Sequence, residues 1–416
     1  MNSITKSTAK NTILLYFLTF AKLVFPLLTL PYLTRVLTTD GYGVVSYVKS
    51  CMWYMQLIVD FGFILSAVKD IVKVNGDNEK IGEIVGHIVV AKLILAVVVL
   101  LATIIMGLCI PILRNYTLYT ILYAISIMIT AFNAEYLFRG IEKMHIITIV
   151  FVVAKGLVVL LTFFLIKSDN DLILIPIMEI IGNFVSVVIS WLTIGKLKIP
   201  VRFKSIKITL NKLKESAIYF FSSFSSTAFT ALNTLLIGIV VKDLTQVAFW
   251  SVAWQLISAV LALYSPIIDG VYPQMIQKKD LKFIEKILLL FMPIIFLGSL
   301  FCFVCAEWIL NIFAGNAYVN ATLIFRLLIP LFIFSFPSML FGWPSLGSVG
   351  KESLVTISTV CGATCQVVGL AVLAIIGEFT IYTVAILRCI TEIVIMSLRM
   401  AFLIKNRKFF NKERYD

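Results

Sequence analysis

Long apolar runs follow one another almost without pause along this chain of 416 residues, and that leaves it few ways to fold. The runs lie at roughly 11–36, 43–68, 84–109, 117–138, 146–166 and 172–195, then, after a polar gap, at roughly 216–241, 247–272, 283–309, 321–344, 353–376 and 379–402. Each holds the ~20 residues that a helix needs to cross the hydrocarbon core of a bilayer. Only 14% of residues are charged and the mean hydropathy is +1.02, whereas soluble domains are about 25% charged. The pattern predicts an all-α polytopic membrane protein of twelve transmembrane helices with no room for a separate soluble domain. Lys6 and Lys10 ahead of the first run superficially resemble a secretory leader, but the run is too long and no small-residue cleavage site follows it. It reads as a retained first helix.

Reactive side chains are scarce. The two histidines, His87 and His145, stand far apart in no metal-ligand spacing. The seven cysteines are an odd number and all fall in apolar stretches, which argues against a disulfide framework. Cys302 and Cys305 form a CxxC inside FCFVCAEW, where they read as small packing residues. No Walker A, HExxH or GxSxG motif occurs. The reading is of a protein that is not an enzyme, holds no cofactor or metal, and draws its energy from a source other than ATP bound to this chain.

Basic residues set the orientation, because short loops rich in Lys and Arg stay in the cytoplasm. The N-terminus, the loops after even-numbered spans and the C-terminal tail carry most of the 35 Lys and Arg; the loops after odd-numbered spans carry only Arg35, Arg114, Lys167 and Lys242. Both termini are therefore expected in the cytoplasm. The net charge of +13 is then accounted for by topology and by attraction to anionic membrane lipid, not by a nucleic-acid partner. The polar gap KLKIPVRFKSIKITLNKLKES divides the chain into an N-terminal six-helix lobe (1–195), a basic cytoplasmic linker (196–215), a C-terminal six-helix lobe (216–402) and a basic cytoplasmic tail (403–416). The linker reads as an amphipathic segment on the membrane surface, with a short strand over VRFKSIKITL as the alternative. A faint likeness of GYGVVSYV in span two to QVAFWSVA in span eight is consistent with duplication.

Six cations fall inside the spans: Lys22, Lys49, Lys92, Lys155, Arg326 and Arg388. At about 2.5–3.5 kcal/mol for each lipid-facing charge, they must face a watery cavity, pair or snorkel. Lys92 and Arg326 lie near span ends, where snorkelling is the simple reading; Arg388 has Glu392 four residues on, in reach for an ion pair. In span two, Tyr42, Ser46, Lys49, Trp53, Gln56 and Asp60 share one helical face, and span eight repeats the spacing with Ser251, Gln255, Ser258, Ala262, Ser265 and Asp269. Span seven adds Tyr219, Ser223, Ser226, Thr230 and Asn233, and span one adds Thr12, Tyr16, Thr19, Lys22, Pro26 and Thr29. Such stripes can be helix-to-helix packing, but charge within two of them favours a central polar cleft between two repeats, as in many secondary transporters. Prolines inside or at the ends of spans, among them Pro266, Pro293, Pro330 and Pro344, predict bends.

The run FPLLTLPYLTRVLTTDGYGVVSYV, followed by DFGFILSAVKDI, resembles the opening of Wzx-type polysaccharide flippases, with Leu30 to Leu37, Gly41 to Gly43 and Asp60 to Phe63 carrying the likeness. Thr38 stands where that family usually has glycine, and SPIIDGVYPQM is similar to the family's helix-eight region. The resemblance implies membership of the multidrug, oligosaccharidyl-lipid and polysaccharide exporter superfamily, with two six-helix lobes around a cleft lined by helices one, two, seven and eight. It also implies a multi-pass protein of the bacterial inner membrane that flips an undecaprenyl-diphosphate-linked glycan for O-antigen or capsule assembly, driven by H⁺ or Na⁺. Polymerase and chain-length proteins of the same pathway are the implied protein partners. On this reading the cargo binds Lys22, Lys49, Lys155, Arg326 and Arg388; Asp60, Asp269 and Glu392 are candidates for ion coupling; and Tyr42, Ser46, Trp53, Gln56, Ser226, Asn233, Ser251 and Gln255 line the cavity.

Two rivals differ in testable ways. A drug or small-solute antiporter for cationic compounds calls for an acid-dominated cavity, and the loop KDIVKVNGDNEKIGE lacks the GxxxDRxGRR-like pattern of major facilitators. A membrane glycosyl polymerase or transferase calls for a sizeable outer loop, whereas the stretch near NIFAGNAYVN is short.

Overall fold

The computed structural model describes residues 3–74 and 76–410, apart from the side chains of residues 3–13, 15, 222–223 and 225–230. Among the described residues there is no strand, and the chain divides into two compact units, Met1–Thr227 and Ala228–Asp416. The first unit holds α1 (Ser3–Val36), α2 (Thr39–Asp60), α3 (Phe63–Lys73), α4 (Asn78–Cys109), α5 (Pro111–Asn115), α6 (Thr117–Ile129), α7 (Glu135–Gly140), α8 (Met144–Leu165) and α9 (Leu174–Lys196). The unit boundary falls inside α10 (Ile206–Val240). The second unit continues with α11 (Leu244–Ala262), α12 (Ser265–Lys278), α13 (Leu281–Val304), α14 (Ala306–Ala314), α15 (Thr322–Leu328), α16 (Pro330–Leu340), α17 (Glu352–Ile375) and α18 (Ile381–Lys405).

Ten helical stretches among the described residues are long and apolar enough to cross a membrane, and the bent pair Asn316–Leu328 with Pro330–Val349 makes an eleventh. This is a multi-pass membrane protein. The twelve spans expected from sequence exceed this number by the one at α10, whose described apolar part is only Ala231–Val240. Large apolar side chains stand exposed along these helices, for example Leu289 at 76%, Leu297 at 65% and Val304 at 65% on α13. Water would not tolerate such a face, but lipid tails cover it without penalty.

Several apolar runs are broken where the sequence dictates. Span two divides into α2 and α3 at Phe61 (φ 40°) and Gly62 (φ 74°), both left-handed. A side chain at Gly62 would be strained by that φ and would also put its Cβ 2.6 Å from Cβ of Tyr219. Span eight breaks between α11 and α12, with Pro266 in the first turn of α12, where its missing N–H costs nothing. Pro330 likewise opens α16 at the 40° bend. Beyond it, a π-helical turn over Phe341–Leu346 contains Pro344 and the non-helical Gly342. Pro293, by contrast, is accommodated inside the continuous helix α13.

Small residues set how closely helices approach. A Cβ on Gly182 of α9 would lie 2.4 Å from Val158 and 3.1 Å from the carbonyl of Ala154 on α8. In the second unit, Gly362 and Gly369 of α17 face Ile395 and Leu387 of α18 at 2.3 and 2.4 Å in the same sense.

Among the described residues the basic linker forms no strand. Its backbone lies on the start of α4, where a Cβ at Gly82 or Gly86 would come 2.0 Å from the carbonyl of Pro200 or 2.2 Å from that of Arg202. The Arg202 N–H donates to the Gly82 carbonyl at 3.3 Å, and Lys204 pairs with Glu83. Helix then begins at Ile206, and one polar face of α10 anchors it on the first unit. Thr209 meets His87 Nδ1 at 3.0 Å, Lys212 meets Asp70 at 2.6 Å, and the Ser216 hydroxyl lies 2.7 Å from that of Ser66. Nearby, Asp77 caps α4, and the Lys80 backbone N–H and ammonium hold its carboxyl below the usual range.

Candidate functional site

The residues of the family-like motif each have a structural task in the first unit. Leu30 is buried at 1% exposure. The Tyr32 hydroxyl donates to the carbonyls of Phe163 and Ile166 at 2.9 and 2.7 Å, which ties the end of α1 to the end of α8. Thr38, where glycine was the family's usual residue, caps α2 by accepting from the Gly41 N–H at 3.0 Å, and its own N–H donates to Asp169 at 2.9 Å. A Cβ on Gly41 would sit 2.4 Å from that Asp169 carboxylate and would push it away from Thr38. In the DFGF segment, Phe61 stacks on Phe220 at 4.7 Å, Phe63 is buried, and Asp60 faces Lys92.

Lys92 therefore corrects its expected role: it does not snorkel but is buried at 4% exposure, 3.5 Å from Asp60 Oδ1 and over the ring of Tyr136 at 5.6 Å. Gln56 donates to Asp60 at 3.0 Å and exchanges hydrogen bonds with Thr130. The α2 stripe thus runs from buried Tyr42, bonded to Ser46, through exposed Lys49 and Trp53, to half-buried Gln56 and Asp60.

Lys49 and Lys155 belong to one cluster, and the carboxylate that joins them was not singled out from sequence. Lys155 on α8 donates to Glu179 Oε2 on α9 at 2.5 Å, and Lys49 on α2 lies in the electrostatic field of both. Close packing at Gly182, one turn beyond Glu179, brings the two helices together at this point. Tyr119 and Tyr123, a turn apart on α6 with ring centroids 6.2 Å apart, lie in the field of Glu179. Tyr119 is buried, and its hydroxyl has no partner among the described residues. Lys22 on α1 stands over the ring of Phe151 at 5.5 Å, one turn from Lys155 along α8. The group is thus one ion pair, Lys155–Glu179, with Lys49, Tyr119 and Tyr123 in the field of its carboxylate and Lys22 over Phe151 on the same face of α8. An acid inside an apolar span is a functional candidate by default, and that signal was present in span six at Glu179.

In the second unit Arg388 is buried at 5% exposure, 3.0 Å from Glu392 and over the ring of Trp254 at 5.8 Å. Asn233 accepts from Gln366 at 2.9 Å, and Gln366 accepts from Thr391 at 2.6 Å, a buried polar chain across α10, α17 and α18. The Ser251 hydroxyl is buried, Gln255 is half-buried and Asp269 is exposed on α12. Arg326 donates to the Phe303 carbonyl at 3.0 Å and lies 3.8 Å from Glu307. Ser223, Ser226 and Thr230 of the expected stripe, with Thr12 of span one, lie outside the described residues. Arg399, which was not among the cations singled out from sequence, lies inside α18. It donates to the Ser338 carbonyl at 2.8 Å and to Ser358 and Thr359 at 3.0 Å each, and it packs against Gly342 in the π-turn.

A sequence model of the family described as "Polysaccharide biosynthesis protein" matches residues 8–279. The chain belongs to this family. It is 30% identical over 286 residues to a protein of Shigella dysenteriae, covering 67% of this chain and 70% of that one. It is also 24% identical over 348 residues to one of Escherichia coli strain K12, covering 80% and 81%. Both bear the name "Putative O-antigen transporter". Among solved structures, a multidrug resistance MATE family transporter of the MOP superfamily matches with TM-score 0.73 at 15% identity over 95% of this chain and 96% of that one. The lipid II flippase MurJ matches with TM-score 0.71 at 12% identity over 96% and 89%. At such identities the likeness establishes the fold, that of MOP superfamily transporters, and not the cargo.

Proposed function

We propose that this protein is a flippase that moves an undecaprenyl-diphosphate-linked oligosaccharide across the bacterial cytoplasmic membrane for O-antigen or capsule assembly, by alternating access driven by an ion gradient. The observation that carries the reading is the Lys155–Glu179 pair with a second ammonium, Lys49, in the field of the same carboxylate. A diphosphate is too costly to bring into hydrocarbon without charge partners, and the cluster offers two ammoniums, with Lys22 near it along α8. The names of the curated relatives and the lipid II flippase among the structural neighbours support the same class of cargo. Cationic drugs would meet like charge here, which disfavours the drug-antiporter reading. Both chain termini are proposed to lie in the cytoplasm. Arg388 and Arg326 are the further cargo cations in this proposal. Asp60 is the first candidate for ion coupling because it is half-exposed and balanced by Lys92 at 3.5 Å; Asp269 and Glu392 are the others.

The test is export of a lipid-linked glycan by the purified protein in liposomes, read as accessibility of the glycan to a lectin added outside. Wild-type protein should expose the glycan only when an ion gradient is imposed, and Lys49→Gln should slow this while leaving protein abundance normal. Translocation equal to that of protein-free liposomes would refute the flippase reading.

A further inference from the structure

Glu179 poses a question that the flippase reading leaves open. A site meant for a diphosphate gains nothing from a carboxylate at its centre, since like charges repel and a ligand phosphate would have to sit beside it. Yet Glu179 takes the hydrogen bond that Lys155 would otherwise give to an anion, at 2.5 Å, and it also acts on Lys49. The contact is built in: Gly182, one turn away, lets the backbones of α8 and α9 approach so closely that a Cβ there would come 3.1 Å from the carbonyl of Ala154, next to Lys155. Glu179 occupies an acceptor position at the Lys155 ammonium, in the field that also reaches Lys49, and a phosphate oxygen is likewise an anionic acceptor of the ammonium's hydrogen bond.

We infer that Glu179 is a resident stand-in for the cargo's diphosphate, a counterion that the ligand displaces from Lys155 and Lys49 on binding and that reclaims them on release. The inference rests on the flippase reading for the identity of the anion, and it assigns Glu179 a role that the reading does not contain. While the site is empty, the carboxylate keeps the ammoniums partnered, which a membrane interior requires. When the diphosphate enters, the carboxylate competes with it and so limits affinity. A transporter gains from that limit, because a cargo bound too tightly does not leave. The lysines are binding residues; Glu179 acts through them, as a positioning and release residue. Tyr119 offers a hydrogen-bond donor beside the group, its buried hydroxyl having no protein partner among the described residues.

The test uses full-length protein purified in detergent and calorimetric titration with three probes: farnesyl diphosphate, inorganic diphosphate and farnesol. Glu179→Gln keeps the shape and removes the charge, and it should bind farnesyl diphosphate about tenfold tighter than wild type, a gain of about 1.4 kcal/mol. The same variant should transport a lipid-linked glycan more slowly, because release becomes limiting. Glu179→Asp should restore both quantities towards wild type. Lys155→Gln and Lys49→Gln should each weaken binding, and adding Glu179→Gln to Lys155→Gln should recover much less than the tenfold. Farnesol should bind all variants equally. Inorganic diphosphate should repeat the order if the headgroup alone is recognised; failure to bind while farnesyl diphosphate binds assigns the site to a lipid-linked ligand, and either result is compatible with displacement. If Glu179→Gln binds no tighter than wild type while the lysine variants weaken, the counterion inference is wrong and the flippase site stands. If the lysine variants bind as wild type does, the site itself falls and the inference with it. Glu179→Met provides a second neutral variant, and should it also fail to tighten binding in monodisperse protein, the inference is overturned without appeal to misfolding.

Discussion

The pair Arg388–Glu392 allows a measurement that separates a structural ion pair from a cargo-binding cation. Both side chains are buried, at 5% and 8% exposure, with 3.0 Å between Nη2 and Oε2. Replacing Arg388 by Gln leaves the Glu392 charge without its partner in a dry setting, and breaking a buried pair in this way costs about 3–5 kcal/mol. Replacing both by Gln removes the two charges together and leaves two amides that can bond to each other. The double variant should then lie within about 1 kcal/mol of wild type, since exchanging a whole buried pair for neutral groups is often neutral. Adding Glu392→Gln to Arg388→Gln should therefore recover about 2–4 kcal/mol of the loss, which puts the coupling of the two residues at or above the upper end found for contacting residues. Reversible unfolding of the four proteins in sodium dodecyl sulfate measures it, and glycan export in cells reports function alongside. A single Arg388→Gln loss below about 1 kcal/mol, or a double variant no more stable than the single, would refute the argument. Recovered stability with export still absent would assign Arg388 a contact with cargo beyond its pairing with Glu392.

Two further outcomes are expected. Gly62→Ala should destabilise the first unit by about 2–4 kcal/mol, because a left-handed φ costs about 1–2 kcal/mol for a residue with a Cβ and overpacking adds a similar amount; the Cβ would press on Tyr219, and thermal unfolding in detergent should show a matching fall in midpoint. Single cysteines at Lys207 and Arg114, both exposed, in a cysteine-free background should react with an impermeant maleimide from opposite sides of the membrane, Arg114→Cys from outside; labelling of both from one side would overturn the orientation drawn from loop cations.

The helical architecture was legible because a bilayer imposes one simple demand, about twenty apolar residues for each crossing, and the runs of this chain meet it. The family was legible because its motif is made of residues with stringent geometric tasks. Gly41 leaves room for the Asp169 carboxylate that Thr38 binds, and Gly62 holds a left-handed turn against Tyr219. The linker was not legible. Its period-two pattern suits a strand and its cations a membrane surface, and the pair that seats its backbone on α4, Gly82 and Gly86, can be interpreted only once their neighbours are known. Arg399 was lost for a related reason: near a predicted span end it looks like a tail cation, and only the carbonyl of Ser338 and the hydroxyls of Ser358 and Thr359 show that it holds a bent segment in place.

Charge partners were the hardest part to read, and they change how the cations are understood. Arg388–Glu392 could be read because both residues lie on one helix, four apart. Lys155–Glu179 and Lys92–Asp60 join different helices across 24 and 32 positions, and sequence periodicity carries no information about such pairs. An intramembrane lysine seen in sequence is a charge in search of a solution, and the structure supplies different solutions for different lysines. Lys92 is buried against one carboxylate and one ring. Lys155 pairs with Glu179 while Lys49 lies in the field of both, a group with more positive than negative charge. A closed pair needs no ligand, whereas an unbalanced group within a membrane is most stable when a further anion joins it. On the proposed function, that difference, and not depth in the membrane, is the reason to assign Lys49 and Lys155, and not Lys92, to an anionic cargo.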